Sequence, residues 1–271
     1  MNYNTISPVS DLCPFVKCYW TLEAPQEESP ERQRIVPDGC MEMIFNCGDP
    51  YKQYAEDGGY VIQPRSFVFG QITQPLEIEA TGLTNIFAIR FHPEGFVPFA
   101  AIPVNQMENR AVPLPELFDN EGAELEGLIL NAVTNEDRVR LIEAFLMNRL
   151  IRPESIDRIV KSSVETMLHL NGQLSVDELS EHLNINRRQL ERKFSSVIGL
   201  SPKKLSRIIR LQATLKMIAN KEFASLTSVA YEGYYYDQAH FIKDFKEFTG
   251  ISPKKFYASS LKMSSLFLET E

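Results

Sequence analysis

The chain has 271 residues, which suffices for two domains of ordinary size, and its apolar fraction of 44% is typical of proteins that bury a core in each domain. No run approaches the roughly 18 consecutive apolar residues that a transmembrane helix needs. The first residues lack the basic and apolar segments of a signal peptide. Composition argues against a membrane or secreted protein, and we expect a cytoplasmic one.

The net charge of −8 is unevenly distributed along the chain. Residues 1–154 carry 11 Lys and Arg against 23 Asp and Glu, a balance of −12. Residues 186–262 carry 15 against 6, a balance of +9. An acidic first half and a basic second half indicate that only the second half meets phosphate, although solvated faces also acquire such a bias by chance.

Residues 1–113 read as short strands and turns. Runs of β-forming residues occur at 18–22, 41–45, 66–69 and 86–91, and they are bounded by Gly, Pro, Asp and Asn. This pattern predicts a small antiparallel sandwich or cupin-like barrel.

The hydrophobic period changes to that of helices in residues 114–153. Leu125, Leu128 and Ile129 form one apolar stripe, and Ile142 and Leu146 belong to a second. We expect two linking helices, whose stripes serve either packing within the chain or dimerisation. The segment 152–155 is the predicted boundary to a third region, 154–271, which reads as continuously helical.

The last hundred residues contain an internal repeat. The sequence FSSVIGLSPKK at 194–204 recurs as FKEFTGISPKK at 245–255, an offset of 51 residues. Two copies of one supersecondary unit are therefore predicted.

Each copy has the pattern of a helix-turn-helix. In the first, Ser175 and Glu178 form a capping box that opens a short helix, and Asn186 is placed to cap the next one. The second helix of each copy carries apolar residues at helical spacing, which are Leu190, Phe194 and Val197 in the first copy and Phe241, Phe245 and Phe248 in the second. The opposite face of the second copy is expected to expose Gln238, His240, Lys243 and Asp244.

A helix from about Pro202 to Asn220 connects the two copies. It begins with Ser201 as N-cap and Pro202 at the first helical position, after Gly199 as the preceding C-terminal cap. At 1.5 Å per residue its length is roughly 27 Å. This length suits two recognition helices in successive major grooves, which are about 34 Å apart.

Residues from about 156 to 257 resemble the double helix-turn-helix domain of AraC-type transcription regulators. The resemblance rests on LERKF at 190–194, GLSP at 199–202, RLQA at 210–213, DQAHF at 237–241 and FKEFTGISP at 245–253. It implies seven helices, of which the third and sixth lie in the major groove of double-stranded DNA. It also favours an activator that works with RNA polymerase.

The resemblance assigns base contacts to the second helix of each copy. These residues are Arg187, Arg188, Glu191 and Arg192 in the first copy, and Gln238, Ala239, His240 and Lys243 in the second. Arginine suits guanine and glutamine suits adenine, whereas the alternative is that several of these residues are solvated or touch only phosphate. The lysines at helix starts, Lys203, Lys204, Lys254 and Lys255, are predicted phosphate anchors.

One position departs from the family pattern. The family usually places Gly in the turn of the second unit, where this chain has Tyr234. Either the neighbouring Gly233 absorbs the strain or the turn is remodelled.

Residues 37–45 and 90–95 resemble a short β-rich domain that precedes this type of DNA-binding domain in some regulators. In the broader family this region binds a small effector or dimerises. The residues Tyr19, Trp20, Asp38, Glu42 and Arg90 are candidates for aromatic walls and polar anchors of an organic effector. The alternative is that they are core aromatics and surface charges without a ligand.

The remaining chemistry-bearing residues give weaker signals. His92 is the only histidine before residue 169, which argues against a cupin metal centre, and we expect no metal and no cofactor. The four cysteines are Cys13, Cys18, Cys40 and Cys47, and their spacing is looser than that of common zinc motifs. A zinc or redox site, or a DNA-repair activity through these thiols, is an alternative to buried free thiols.

No phosphate-binding loop, nucleophile elbow or metal-helix motif is present in the sequence, so we expect a regulator and not an enzyme. The predicted function is sequence-specific DNA binding controlled by the N-terminal domain. The alternative is a DNA-binding adaptor that is constitutive or controlled by a protein partner.

Overall fold

The computed structural model describes residues 1–55, 57–150, 157–220 and 226–258. A β-rich region with antiparallel sheets precedes a helical region, which confirms the predicted α+β class. Among the described helices, none combines the length and apolar content needed to cross a bilayer.

The described N-terminal region contains strands in two antiparallel sheets. They are β1 (Asn2–Ile6), β2 (Val16–Ala24), β3 (Gln33–Ile35), β4 (Glu42–Asn46), β5 (Tyr51–Tyr54), β6 (Tyr60–Ile62), β7 (Ser66–Phe69), β8 (Leu76–Ala80), β9 (Thr84–Phe91) and β10 (Ala111–Pro113). One sheet has the order β1-β2-β9-β4-β7-β10, and the other has the order β3-β8-β5-β6.

The larger sheet is covered on both faces, which explains its nearly continuous apolar strands. Along β2 and β9, Tyr19 and Phe87 belong to a core shared with the following helices. Their neighbours Trp20 and Ala88 belong to a smaller core with residues of the second sheet. Because successive side chains of a strand point to opposite faces, both faces must be apolar.

Two helices follow, α1 (Leu114–Asn131) and α2 (Asn135–Arg149). Leu125 and Ile129 of α1 are buried in the same core as the larger sheet, together with Ile142 and Leu146 of α2. These four residues therefore pack within the chain, whereas Leu128 of the same α1 stripe is exposed. The predicted boundary at 152–155 lies outside the described residues.

The helical region contains α3 (Arg158–His169), α4 (Val176–His182), α5 (Arg187–Val197), α6 (Pro202–Ala219), α7 (Leu226–Glu232), α8 (Gln238–Thr249) and α9 (Pro253–Ala258). Leu190, Phe194 and the three phenylalanines of α8 are buried in one core, as the repeat predicts. Val197 is only partly buried, and the fully buried residue at this end of α5 is Ile198.

The N-terminal region packs directly against this helical core. Val36, from the loop after β3, is buried among the residues of the helical core. Gln212 of α6 donates a hydrogen bond from Nε2 to the carbonyl oxygen of Pro37, 2.6 Å away. The 3₁₀ turn Val104–Gln106 contacts α5 and lies beside Gly199. The central helix α6 is thus held between the sheets and the two helix-turn-helix units.

Candidate nucleic-acid interface

The first recognition helix is α5, and its start is fixed by capping. The Asn186 side chain accepts a hydrogen bond from the Gln189 amide, and Ser175 and Glu178 form the predicted capping box of α4. Leu190 and Phe194 anchor the buried face. The residues assigned to base contact, Arg187, Arg188, Glu191 and Arg192, are all exposed.

These four exposed residues are not equivalent. Arg187 lies 3.1 Å from Asp177 of α4 and 3.1 Å from Glu191, one turn along α5. The hydrogen bond to Glu191, aided by the charge of Asp177, raises the pKa of Arg187. Within the described part of the chain, neither Arg188 nor Arg192 forms an ion pair. Their guanidinium groups are the ones available to an external acceptor.

The second recognition helix is α8, which is capped by Asp237 through the His240 amide. Gln238, Ala239 and Lys243 are exposed, and His240 is half-buried. The prediction that Asp244 is exposed on this face is wrong, because only 3% of it is accessible. The helical period places Asp244 next to α6, where its carboxylate forms an ion pair with a cationic side chain.

Arg207 of α6 is that cation. It donates from Nη2 to Asp244 Oδ1 at 2.8 Å and from Nε to Asp244 Oδ2 at 3.1 Å, which is the bidentate geometry of a strong ion pair. It also reaches Glu247 at 2.5 Å. Burial opposes the charge of Arg207, but the hydrogen bonds to both carboxylates outweigh burial and raise its pKa. This network fixes the second recognition helix against α6.

Lys204 extends the same network. Its Nζ lies 3.0 Å from Glu247 and 4.9 Å from the ring centroid of Phe248. Hydrogen bonds from Arg207 and Lys204 lower the pKa of Glu247 to about 2, against the opposing effect of burial. Lys204 is therefore engaged inside the domain. The other predicted phosphate anchors, Lys203, Lys254 and Lys255, are exposed.

A groove of about 480 Å³ lies between the two units and along α6. Its lining cations are Arg187, Lys203, Arg207, Arg210 and Lys243, and its lining anions are Asp177, Asp244 and Glu247. Of the predicted base-contacting residues, Arg187 of α5 and His240 and Lys243 of α8 border this one groove. Cations exceed anions there by five to three, as a phosphate-facing surface requires.

The two helix-turn-helix units differ by one residue in the turn. Asn184 and Tyr234 both adopt a left-handed backbone, with φ of 49° and 55°, and they are 50 residues apart. The N-caps Asn186 and Asp237 are 51 residues apart. The second turn thus has one extra residue before its recognition helix. Tyr234 itself takes the left-handed conformation, so the turn is not rescued by Gly233.

Three exposed tyrosines surround this longer turn. Tyr231 is 69% exposed, Tyr234 is 61% exposed and Tyr236 is 89% exposed, whereas Tyr235 is buried against Phe241. Tyr236 directly precedes the N-cap of α8. Sequence reasoning did not single out these rings as surface residues, and the run of three tyrosines at 234–236 was the signal that could have found them.

The candidate effector residues lie in the N-terminal region. Trp20, Asp38 and Glu42 line a cavity between the two sheets. Arg90 forms ion pairs with Asp38 and, at 3.5 Å, with Glu42. Tyr19 points to the other face of the larger sheet, where its hydroxyl donates to Glu143 of α2. The structure therefore brings four of the five residues together and places Tyr19 elsewhere.

The four cysteines are free thiols in different environments. Cys13 is exposed, Cys40 is buried, and Cys18 and Cys47 are intermediate. No group of three or more His, Cys, Asp or Glu side chains within the described residues has the arrangement of a metal site. Burial raises the pKa of Cys40 to about 12, aided by the charge of Asp38 and opposed by Arg90.

Two parts of the chain match known family models. Residues 4–113 match the family described as Domain of unknown function (DUF6597), and residues 179–259 match the family described as Helix-turn-helix domain. The second match covers both recognition helices. The chain is therefore similar to a DUF6597 domain in its first part and to a helix-turn-helix domain in its last part, in the order that the sequence motifs predict.

Individual relatives are more distant. An uncharacterized HTH-type transcriptional regulator of Haemophilus influenzae is 23% identical over 164 residues, which cover 58% of this chain and 55% of the relative. The HTH-type transcriptional regulator GbdR of Pseudomonas aeruginosa is 33% identical over 89 residues, 32% of this chain and 23% of the relative. The matched segments thus span about half of the first relative and less than a quarter of the second.

Among solved structures, ToxT from Vibrio cholerae O395 aligns over 89% of this chain and 97% of its own, with 13% identity and a TM-score of 0.47.

Proposed function

We propose that this chain is a sequence-specific DNA-binding transcription regulator that reads two successive major grooves. The observation that carries the proposal is the pair of capped recognition helices, α5 and α8, which contribute Arg187, His240 and Lys243 to one groove with more cations than anions. A helix-turn-helix places its second helix in the major groove, and two such units in one chain give a monomer two points of base contact.

The connecting helix supports a reach over two grooves. α6 has 18 residues, which correspond to roughly 27 Å at 1.5 Å per residue. Successive major grooves on one face of DNA are about 34 Å apart, and each recognition helix adds its own width. The Arg207–Asp244 ion pair holds α8 at a fixed angle to α6, so the spacing of the two helices is set before DNA is bound.

The exposed side chains suggest how contacts are divided. Arg188 and Arg192 in α5 suit guanine, and Gln238 in α8 suits adenine. Arg187 would first have to exchange Asp177 or Glu191 for a DNA acceptor. Lys203, Lys254 and Lys255 are the proposed phosphate anchors, each near the free amides at a helix start.

Control by the N-terminal region is the second part of the proposal. The loop that carries Val36 and Pro37 packs on α6, and α6 carries both recognition units. An effector that moved this loop would shift the equilibrium between arrangements of the two units. By resemblance to its family the regulator is an activator, which implies a contact with RNA polymerase.

A partner protein or a second copy of the chain is the competing controller. Leu128 and Met147 are exposed on α1 and α2. Leu128 lines a hollow of about 570 Å³ between these helices and the 3₁₀ turn Val97–Phe99. This apolar surface is the observation that favours a homodimer or adaptor. Concentration-dependent sedimentation of the wild type and of Leu128→Glu would reveal such an association.

The test of DNA reading is selection of bound fragments from random DNA, repeated for Arg188→Ala and Lys243→Ala. Arg140→Ala, which removes an exposed arginine of α2, is the matched control. We expect a motif with two halves about one helical turn apart. Each recognition-helix variant should lose discrimination in one half, and the control should retain both. Salt-sensitive binding without sequence preference in the wild type would refute the proposal.

A further inference from the structure

One residue of the second helix-turn-helix unit has no counterpart in the first. The amide of Ile185 donates to the carbonyl oxygen of Ser180, and 50 residues further on the amide of Tyr235 donates to that of Ala230, each at 3.0 Å. The two turns are therefore in register up to this point. In the first unit the N-cap of the recognition helix follows at once, whereas in the second unit Tyr236 precedes it. Tyr236 is thus the inserted residue.

The inserted residue places its side chain in solvent. Tyr236 is 89% exposed, the largest exposed fraction of any aromatic residue in the described part of the chain. The preceding residue, Tyr235, is buried, and its ring centroid lies 5.1 Å from that of Phe241 in α8. Because this buried ring anchors the turn to the recognition helix, the backbone that carries Tyr236 has a fixed position beside α8.

The position of Tyr236 indicates which partner its ring meets. A recognition helix lies in the major groove with its N-terminal residues on the base edges. The residue that precedes such a helix then lies at the wall of the groove, where the sugar-phosphate backbone runs. Tyr236 directly precedes Asp237, the N-cap of α8. This placement rests on the proposed function, in which α8 lies in a groove.

The side chains next to Tyr236 are compatible with a nearby phosphate. The carboxylate of Asp237 is turned back to the helix, where it accepts a hydrogen bond from the His240 amide at 2.7 Å. The exposed side chains that follow, Gln238 and Ala239, carry no negative charge. The tyrosine hydroxyl is therefore the first donor outside the helix that an approaching phosphate would meet.

We propose that Tyr236 contacts the DNA backbone at the edge of the groove that α8 reads, with its hydroxyl donating to a phosphate oxygen and its ring packed against the adjoining sugar. Tyrosine is among the usual donors to phosphate, and such contacts fix the register of a protein on the duplex without reading sequence. Its ring offers a large contact area and has only two torsions to order. Tyr236 is thus a positioning residue, present in the second unit alone.

The contact differs in kind from that of the lysines. A lysine that neutralises a phosphate releases a counterion, whereas a neutral hydroxyl does not. Tyr236→Phe should therefore weaken DNA binding without changing its salt dependence or the selected base sequence. Lys254→Ala, at a proposed phosphate anchor, should reduce the slope of log affinity against log salt by about one.

The test is a methylphosphonate scan of a DNA site that the full-length chain has selected. Each phosphate is replaced in turn by an uncharged methylphosphonate, and binding is measured for the wild type and for Tyr236→Phe. At one position the replacement should weaken wild-type binding about fivefold more than binding of the variant, as expected for one lost hydrogen bond. That position should border the half of the site that depends on Lys243.

A matched control comes from the N-terminal region. Tyr60 of β6 is 55% exposed, and Tyr60→Phe should give the wild-type pattern at every phosphate. Tyr236→Ala should weaken binding further than Tyr236→Phe, because the ring contact with the sugar is lost as well. Thermal unfolding should be unchanged in all three variants, since each replaced side chain is mostly exposed. A purely structural role of Tyr236 would not produce an effect that depends on one phosphate.

Equal responses of the wild type and Tyr236→Phe at every phosphate would overturn the proposal. A Tyr236→Ala variant that binds DNA like the wild type but no longer activates transcription would also overturn it, because the ring would then face a protein. In both cases a recovered two-part motif leaves the DNA-reading proposal standing. If the wild type selects no motif, the DNA-reading proposal fails, and the role of Tyr236 fails with it.

Discussion

The side chain of Leu205 in α6 packs directly against Gly39, which lies in the loop before β4. A Cβ atom at Gly39 would lie 2.9 Å from Leu205 Cδ1, and Gly39 has a left-handed backbone with φ of 81°. The glycine thus meets two demands at once, because it permits the turn and leaves room for the Leu205 side chain of the helical half. This contact joins the two halves beside the cavity.

Replacing Gly39 tests that contact. We expect Gly39→Ala to lower the free energy of unfolding by about 1 kcal/mol because of the left-handed backbone. A further loss should follow because the side chain of Leu205 must move away from the added Cβ atom. Gly58→Ala is the matched control, since Gly58 has φ of 85° and no atom within 4 Å of the added Cβ. Chemical denaturation of both variants measures the difference. Equal losses would mean that Leu205 does not constrain this position.

The Arg207–Asp244 pair makes a prediction about stability. Arg207→Ala leaves the buried carboxylate of Asp244 without its guanidinium and with only the His240 imidazole 3.6 Å away, which should cost about 3 kcal/mol or more. The double variant Arg207→Met/Asp244→Leu should recover most of this loss, because no uncompensated charge remains. Urea denaturation of both variants is the measurement. A loss below about 1 kcal/mol in the single variant would show that the pair contributes little.

The left-handed residue of the second turn is a site for stabilisation. Tyr234→Gly should raise the free energy of unfolding by about 0.5 kcal/mol, because glycine adopts this conformation without a Cβ penalty and the ring is mostly exposed. Asn184→Gly is the control in the first turn, where we expect a smaller gain since asparagine tolerates φ near 50°. Thermal unfolding would rank the two, and a lower melting temperature for Tyr234→Gly would contradict the prediction.

Two buried carboxyl groups predict a pH dependence. Burial raises the pKa of Glu42 and of Glu94 to about 7 from an ordinary value of 4.5. The folded state thus holds these protons more tightly than the unfolded state. The contribution of these two groups to the free energy of unfolding should be greatest below pH 4.5 and should fall as the pH rises to about 7. The fall should be at most about 1.4 kcal/mol per pH unit for each group.

Denaturation at several pH values checks this slope. Glu94→Gln should remove its part of the decline between pH 5 and 7, and Glu42→Gln should remove the other part. Glu79→Gln serves as control, because hydrogen bonds from Lys52 and Tyr54 lower the pKa of Glu79. The Glu79→Gln substitution should therefore change the pH dependence of stability only in more acidic solutions, outside the interval from pH 5 to 7. An unchanged slope in both test variants would rule out the assignment.

The helical half was largely predictable from sequence because its signals are local. Each of these signals depends on residues within a few positions of one another. They are the capping residues Ser175 and Asn186, the glycine at 199 and the repeat of FxxxxG followed by SP. The buried phenylalanines of α8 followed from the helical period. Asp244 did not, because its burial depends on Arg207, which lies 37 residues away and has no local signature.

The N-terminal half was less predictable. The four apolar runs became β2, β4, β7 and β9, whereas the second sheet was missed since its strands are short and carry charged or polar residues. Trp20, Asp38 and Glu42 were candidates by residue type. Asn46 and Gln212 also line the cavity, but only the fold reveals this, because Asn46 is the last residue of β4 and Gln212 lies on α6.

The most direct test of two-groove reading is hydroxyl-radical footprinting on a selected DNA site. The account predicts two protected patches on one face of the DNA, about 10 base pairs apart. Arg188→Ala should weaken one patch and Lys243→Ala the other, with Arg140→Ala as the control. A single patch that is unaffected by Lys243→Ala would contradict the account, because α8 would then not lie in a groove.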